Sequence, residues 1–189
     1  AVDAIAARHG FSGWKTKGAS LIAEGRIGGE KVMAVKPQCF MNKSGGPVAE
    51  IARFYKIPPS DIFVFYDEID LAAGRIRVKC GGGHGGHNGI RDTDRNLGTD
   101  YWRVRIGVGR PEQVIPGSQI DIRKWVLMDF MAAERDGWLA RLLDAVAGEV
   151  DRLTAHDEGG FMSRVAHLAP APKPDKPDTQ DKDGSKETG

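Results

Sequence analysis

The chain has 189 residues, of which 40% are hydrophobic and 28% are charged, and its formal net charge is only +1. This length argues against a two-domain enzyme, and an apolar content sufficient for a sizeable core excludes a wholly disordered chain. No apolar run approaches the roughly 18 residues that a membrane-spanning helix needs, and the first residues lack a secretory signal, so we expect a cytoplasmic protein. The two cysteines, Cys39 and Cys80, are too few for a disulfide framework or a four-ligand zinc site.

The charges are distributed unevenly along the chain. Residues 75–124 contain ten Lys or Arg and five Asp or Glu, whereas residues 129–158 contain eight Asp or Glu and three Arg. A basic half would suit a phosphate-rich partner, because neutralised phosphates release counterions. An ordinary solvated surface explains the pattern equally well.

The first third of the sequence predicts a helix and a hairpin. Residues 1–10 have apolar positions at helical spacing and end at Gly10, but no capping residue precedes them, so we expect that the true beginning of the chain is missing. Residues 21–26 and 30–36 flank a glycine turn, which predicts two antiparallel strands.

The middle of the sequence alternates helices with strands. Residues 47–55 predict a helix that begins near Pro47. Residues 61–66 form a continuous apolar run, which predicts the central strand, buried on both faces. Residues 75–79 and 102–108 alternate basic and aliphatic side chains, which predicts half-buried strands. A glycine-rich stretch between them leads into a predicted helix over residues 88–96.

The last third of the sequence predicts helices and then a tail. Residues 120–128 and 132–154 have helical spacing, and Trp138, Leu142, Ala145 and Val150 form one apolar stripe. Residues 161–168 predict one more helix. Residues 169–189 contain no large apolar side chain, so we expect a disordered polar tail after a single domain at residues 1–168. The alternation of strands and helices predicts an α/β sandwich around a mixed sheet.

Three polar clusters lie at the ends of predicted strands, at residues 40–45, 66–70 and 81–89. Because ligands of α/β sheets bind in the crevice at the strand ends, we expect these clusters to converge. Asp67 directly follows the apolar strand, where a carboxylate is costly unless it is hydrogen-bonded. It is therefore a candidate functional residue, with a capping or turn aspartate as the alternative.

The glycine cluster allows several interpretations. Gly81, Gly83 and Gly86 match the dinucleotide pattern G-x-G-x-x-G, but the acidic residue required about 20 positions later is missing, and no phosphate-binding Gly-Lys-Ser/Thr follows. The free N–H groups of such a loop and of the next helix suit an anion or a carbonyl group, although tight packing alone also explains the glycines. His84 and His87 with Asp67 form an alternative metal site.

Four segments in this order and spacing resemble the bacterial peptidyl-tRNA hydrolases, and the resemblance covers the chain up to about residue 168. The segments are KPQCFMNKSG at 36–45, DEIDL at 67–71, KCGGGHGGHNGIR at 79–91 and RVRIGVGRP at 103–111.

The resemblance implies a monomeric, metal-free and cofactor-free α/β sandwich that hydrolyses the ester between peptide and tRNA, with peptidyl-tRNA as the partner. By position, Asn42 is similar to the asparagine that binds the peptide part, and Asn88 to the asparagine that positions the attacking water or the oxyanion. Asp67 is similar to the aspartate that orients the family's catalytic histidine. Phe40 and Met41 would supply an apolar wall for the peptide. By the same comparison, Lys79 and Arg105 are the residues that hold the terminal phosphate of the tRNA.

One departure from the family concerns the catalytic base. The family carries a first strand, a Gly-Asn-Pro-Gly loop and a Thr-Arg-His-Asn motif before the helix that begins here at Ala1, and this sequence does not contain them. We therefore expect the histidine base to be absent from this chain and an edge of the sheet to be exposed. His9 does not occupy the position of the base, and His84 and His87 are the alternatives within the chain. A catalytically inactive RNA- or nucleotide-binding remnant and a dinucleotide-dependent oxidoreductase are the other functions considered.

Overall fold

The computed structural model describes residues 1–173. The predicted tail lies outside the described residues from position 174 onward and stays a prediction there. Ala169, predicted to be the first residue of the tail, is 3% exposed and belongs to the hydrophobic core. None of the helices in the described part of the chain is long and apolar enough to cross a membrane.

The N-terminal part forms a helix and an antiparallel sheet, as predicted. Helix α1 (Val2–Arg8) precedes strands β1 (Lys15–Lys17), β2 (Ser20–Ile27) and β3 (Glu30–Pro37), which pair in the order β1-β2-β3. Gly28 and Gly29 join β2 to β3 with φ angles of 58° and 89°, which explains why two glycines occupy this turn. Strand β1 was not predicted, because its sequence Lys-Thr-Lys carries no apolar pattern.

The second sheet is mixed, and its strand order corrects one prediction. It contains β4 (Phe63–Glu68), β5 (Ile76–Cys80) and β6 (Trp102–Gly107) in the order β4-β6-β5, with β4 parallel and β5 antiparallel to β6. The prediction of a central strand at residues 61–66 is wrong. The central strand is β6, and within residues 1–173 β4 has no other strand neighbour, so most of β4 is only half-buried. An apolar run shows which side chains avoid water, but it does not show how many strands lie beside them.

Helices cover both faces of the mixed sheet. Helices α2 (Gly45–Tyr55) and α3 (Asn88–Leu97) pack against each other, and α3 bonds to the sheet through its Asp94. The opposite face contributes Ile76, Val104 and Ile106 to the hydrophobic core, which it shares with α7 (Ala140–Glu149) and α9 (Glu158–Leu168). This arrangement confirms the α/β sandwich around a mixed sheet.

The C-terminal helical region is more broken than its periodicity predicts. It contains α4 (Pro111–Val114), α5 (Ile122–Trp125), α6 (Ala132–Glu134) and α8 (Asp151–Thr154), none longer than four residues. A π-helical turn at Arg135–Leu139 joins α6 to α7, and Gly137 has non-helical angles there. The predicted apolar stripe is confirmed, because all four of its members are buried, namely Trp138, Leu142, Ala145 and Val150.

The two helices beside the candidate site meet at a glycine. The amide of Gly45 donates a 2.8 Å hydrogen bond to Asp92 Oδ2 of α3, and a Cβ atom at this position would clash with the backbone of Asp92 and Thr93. The next residue, Gly46, has nothing within 4 Å of such an atom. Only the first glycine therefore fixes the distance between α2 and α3.

Gly45→Ala is expected to lower the free energy of unfolding by about 2–3 kcal/mol, because backbone atoms on the facing helix must move apart. Gly46→Ala is the matched control, since it adds the same methyl group to open space in the same helix turn and should be neutral or slightly stabilising. Urea denaturation of both variants measures the difference. Equal stability of the two variants would contradict the close contact.

Candidate active site

The three polar clusters meet at the N-terminus of α3. Met41, in a 3-10 turn at Met41–Lys43, lies so close to Gly89 that a Cβ there would be 2.5 Å from its Sδ atom. On the other side, Nε2 of His87 lies 3.7 Å from Oδ1 of Asp67 on β4. The expected convergence of the clusters is therefore observed, with the first turn of α3 between the other two.

Asp67 is a partly buried carboxylate whose charge is stabilised by a neighbouring imidazole. The side chain is 40% exposed, and the adjacent His87 lowers the pKa of Asp67, while burial acts in the opposite direction. The imidazole acts on Asp67 chiefly as a hydrogen-bond donor, although at 3.7 Å the contact is longer than a good hydrogen bond. Apart from His87 and its own backbone amide, the Asp67 carboxylate has no hydrogen-bond partner within residues 1–173, so it is available to a further donor.

His87 is held in one orientation by its position before α3. Its Nδ1 accepts a 3.2 Å hydrogen bond from the amide of Ile90, which makes it the N-cap of the helix. In the neutral ring the proton must then lie on Nε2, the atom that faces Asp67. The ring of Tyr66 also packs edge-on against His87, with 5.1 Å between centroids. The sequence paired His87 with Asp67 only as part of an alternative metal site. Its role as the cap was not predicted, although its position just before the predicted helix at 88–96 was a usable signal.

The glycine loop is folded upon itself rather than around a dinucleotide. His84 Nδ1 accepts a hydrogen bond from the amide of Gly86, and the carbonyl oxygen of His84 accepts one from the amide of His87. The oxidoreductase interpretation is wrong, because α3 connects β5 to an antiparallel neighbour, whereas a dinucleotide fold requires parallel strands around the helix. Residues 1–173 also contain no group of three His, Cys, Asp or Glu side chains placed to hold a metal ion, so the alternative metal site is not formed.

Exposed side chains border the start of α3. Phe40 is 81% exposed and Met41 is 55% exposed, which is unusual for large apolar side chains. Asn42 and Asn88 are both exposed, and within residues 1–173 neither side-chain amide is hydrogen-bonded to protein. Donors and an apolar surface are therefore free to contact a ligand beside Asp67 and His87.

The basic residues of the mixed sheet fall into exposed and buried groups. Lys79 is exposed, and Arg105 is 36% exposed and bonds to Glu68. Strand register pairs Lys79 with Arg103 and Arg77 with Arg105, so these four side chains share one face of the sheet. The two sequence-predicted phosphate ligands, Lys79 and Arg105, therefore lie near one another.

Arg103 is the exception, because its side chain is only 2% exposed. It donates to Asp94 Oδ1 at 2.7 Å and to the carbonyl of Gly83 at 3.0 Å. Tyr101 donates to the same Asp94 oxygen, and burial together with this bond raises the pKa of Tyr101. The alternating pattern of β6 did not distinguish this buried arginine from the accessible Arg105.

His9 lies against a different part of the protein. Its Nε2 is 2.9 Å from the carbonyl oxygen of Ala147 on α7, where it ties α1 to the helices of the hydrophobic core. The structure thus gives His9 a packing role, in agreement with its exclusion as the base.

The pKa of Asp67 is expected to lie below its ordinary value of 3.8, and His87→Asn should raise it, because Asn can still cap α3 but carries no imidazole. With a lowered folded-state pKa, the charge of Asp67 stabilises the fold above pH 3.8, and this contribution is lost as the pH falls through the folded-state pKa. NMR titration of the carboxyl carbon measures both values. An unchanged pKa in His87→Asn would refute the role of the imidazole.

Comparisons with known proteins agree with the resemblance seen in the sequence. The model of the family described as Peptidyl-tRNA hydrolase matches residues 1–174. The peptidyl-tRNA hydrolase of Rhodospirillum centenum is 50% identical over 188 residues, which cover 100% of this chain and 80% of that protein. The peptidyl-tRNA hydrolase of Chelativorans sp. is 54% identical over 166 residues, which cover 88% of this chain and 67% of that protein.

A solved structure shares the fold. The peptidyl-tRNA hydrolase of Acinetobacter baumannii superposes with a TM-score of 0.76 at 32% sequence identity, covering 90% of this chain and 84% of that one. The chain therefore belongs to the peptidyl-tRNA hydrolase family.

Proposed function

We propose that the surface around the start of α3 hydrolyses the ester bond between peptide and tRNA in peptidyl-tRNA and so releases the tRNA for reuse in translation. The observation that carries this proposal is the placement of Asp67, His87 and the free amide of Asn88 between an exposed apolar surface and a basic one. The substrate has the same division, because a peptide and a polynucleotide with a negatively charged phosphate backbone meet at its ester.

The reaction needs a water molecule, a base and donors for the developing oxyanion. The water oxygen attacks the ester carbonyl carbon while its proton passes to the base. The tetrahedral intermediate then collapses, and the ribose oxygen of the tRNA leaves with the proton returned by the base. Asn88 at the first turn of α3 donates to the water or the oxyanion, where the positive end of the helix favours negative charge.

The base in this proposal is the histidine of the family's Thr-Arg-His-Asn motif, which this sequence does not contain. Asp67 orients that histidine through its carboxylate, whose Oδ1 atom also faces His87. A carboxylate that stays ionised is suited to this task, since it stabilises the imidazolium that forms when the base takes a proton. His87 itself is occupied as a helix cap, so we assign it to the support of Asp67.

The two ends of the substrate contact different sides of the site. Asn42 binds the backbone of the peptide, and the exposed side chains of Phe40 and Met41 form its apolar wall. Lys79 and Arg105 hold a phosphate of the tRNA, for which charge-assisted hydrogen bonds are the usual means. The protein acts as a monomer and without a cofactor in the cytoplasm, where its substrate arises.

The second candidate, an inactive RNA-binding remnant, would use the same basic face without the ester chemistry. The family match over residues 1–174 and the identity of 50% with a relative named as a hydrolase favour the enzyme. The two proposals differ in one observable, because only the enzyme makes turnover depend on Asp67.

Asp67→Asn should lower kcat by about two to four orders of magnitude with little change in KM, because it removes the charge that orients and stabilises the base. The assay measures release of labelled peptide from peptidyl-tRNA by a protein that also carries the family's N-terminal motif. Asp61→Asn is the matched control, since it neutralises an exposed carboxylate just before the same strand. Equal turnover in the two variants would remove Asp67 from the mechanism.

Lys79→Ala should weaken tRNA binding and reduce the slope of log Kd against log salt concentration by about 1, because one phosphate contact is lost. Lys31→Ala is the control, as it removes an exposed lysine from the hairpin of the other sheet. Titrations at several salt concentrations measure both effects. If the two variants give the same slope as the unaltered protein, Lys79 does not contact phosphate.

A further inference from the structure

Glu68 is a buried carboxylate in the basic face of the mixed sheet. It is the last residue of β4 and only 8% exposed. A buried carboxylate is costly unless several donors satisfy it. Glu68 has three, because Oε2 accepts from Nε and Nη2 of Arg105 at 3.1 Å and 3.0 Å, and Oε1 accepts from the amide of Asp70 at 3.1 Å.

These bonds engage one edge of the Arg105 guanidinium and leave another open. Nη1 of Arg105 has no acceptor within residues 1–173, and the side chain remains 36% exposed. A guanidinium is planar, so fixing Nε and Nη2 also fixes the direction of the Nη1 donors. The bonded carboxylate therefore determines where the free donors of Arg105 point.

The neighbours of Arg105 explain why it needs such a partner. Strand register places Arg77 directly opposite Arg105, and like charges in that position repel. Lys79 lies two residues farther along the same strand as Arg77, on the same face. Without a carboxylate beside it, the long side chain of Arg105 would turn away from these cations into solvent.

We infer that Glu68 is a positioning residue for RNA binding, which holds the Arg105 guanidinium so that its open edge meets a phosphate of the substrate. This inference rests on the proposed function, in which Arg105 contacts phosphate. It assigns to an acidic residue a favourable effect on the binding of a polyanion. Charge alone has the opposite consequence, since removing a carboxylate beside a phosphate should strengthen binding.

The test measures the dissociation constant of deacylated tRNA from the unaltered 189-residue chain and from its Glu68→Gln variant. Positioning predicts that Glu68→Gln weakens binding about 2- to 10-fold, because the arginine must then be ordered when the RNA binds. Glu112→Gln is the control, since it removes the same charge from an exposed residue within the basic stretch 75–124, and Arg105 bonds to Glu68 rather than to Glu112. It should leave binding unchanged or slightly stronger. Unchanged or tighter binding by Glu68→Gln, while Arg105→Ala weakens binding, would overturn the inference and leave the phosphate contact standing.

A double-mutant cycle separates the inference from the function on which it rests. In the Arg105→Ala background, Glu68→Gln should cause no further loss, because the effect of Glu68 passes through Arg105. If Arg105→Ala itself binds tRNA as well as the unaltered chain, the proposed phosphate contact fails and the inference fails with it.

Should Glu68→Gln not fold, Arg105→Lys gives the answer, because lysine keeps the charge but lacks the planar fork. Binding by Arg105→Lys equal to that of the unaltered chain would also overturn the inference.

Discussion

The candidate site depends on a buried ion pair between Arg103 and Asp94. Arg103 lies in the central strand of the mixed sheet with a side chain that is 2% exposed, and it bonds at once to Asp94 of α3 and to the carbonyl of Gly83 in the glycine loop. Removing one partner of such a pair costs about 3–5 kcal/mol, because the other charge stays buried. The pair therefore fixes both the loop that leads into α3 and the helix itself, and with them the positions of His87 and Asn88.

Much of the fold follows from local patterns in the sequence. The hairpin around Gly28, the helix at 88–96 and the apolar stripe that includes Trp138 are set by residues close to one another in the chain. The position of β4 in the sheet is different, since strand order depends on partners far along the chain. For the same reason the alternation in β6 did not distinguish its two arginines, whereas tertiary contacts bury Arg103 and leave Arg105 accessible.

The sequence predicted which residues form the candidate site better than it predicted the contacts between them. Polar clusters at strand ends indicated that Asp67 and the glycine loop would meet, and the structure brings them within 3.7 Å of each other. The sequence did not show that His87 faces Asp67 or that Glu68 binds Arg105, because both contacts join residues of β4 to residues far along the chain.

The measurement that tests this account most directly is the release of labelled peptide from peptidyl-tRNA. It compares the 189-residue chain, the same chain extended at its N-terminus by the family's Thr-Arg-His-Asn segment, and the extended chain carrying Asn88→Ala, each shown to be folded. The account predicts rapid release by the extended chain, a loss of most of it in Asn88→Ala, and far slower release by the 189 residues alone. Equal release with and without Asn88, or no release by the folded extended chain, would contradict the assignment of the site.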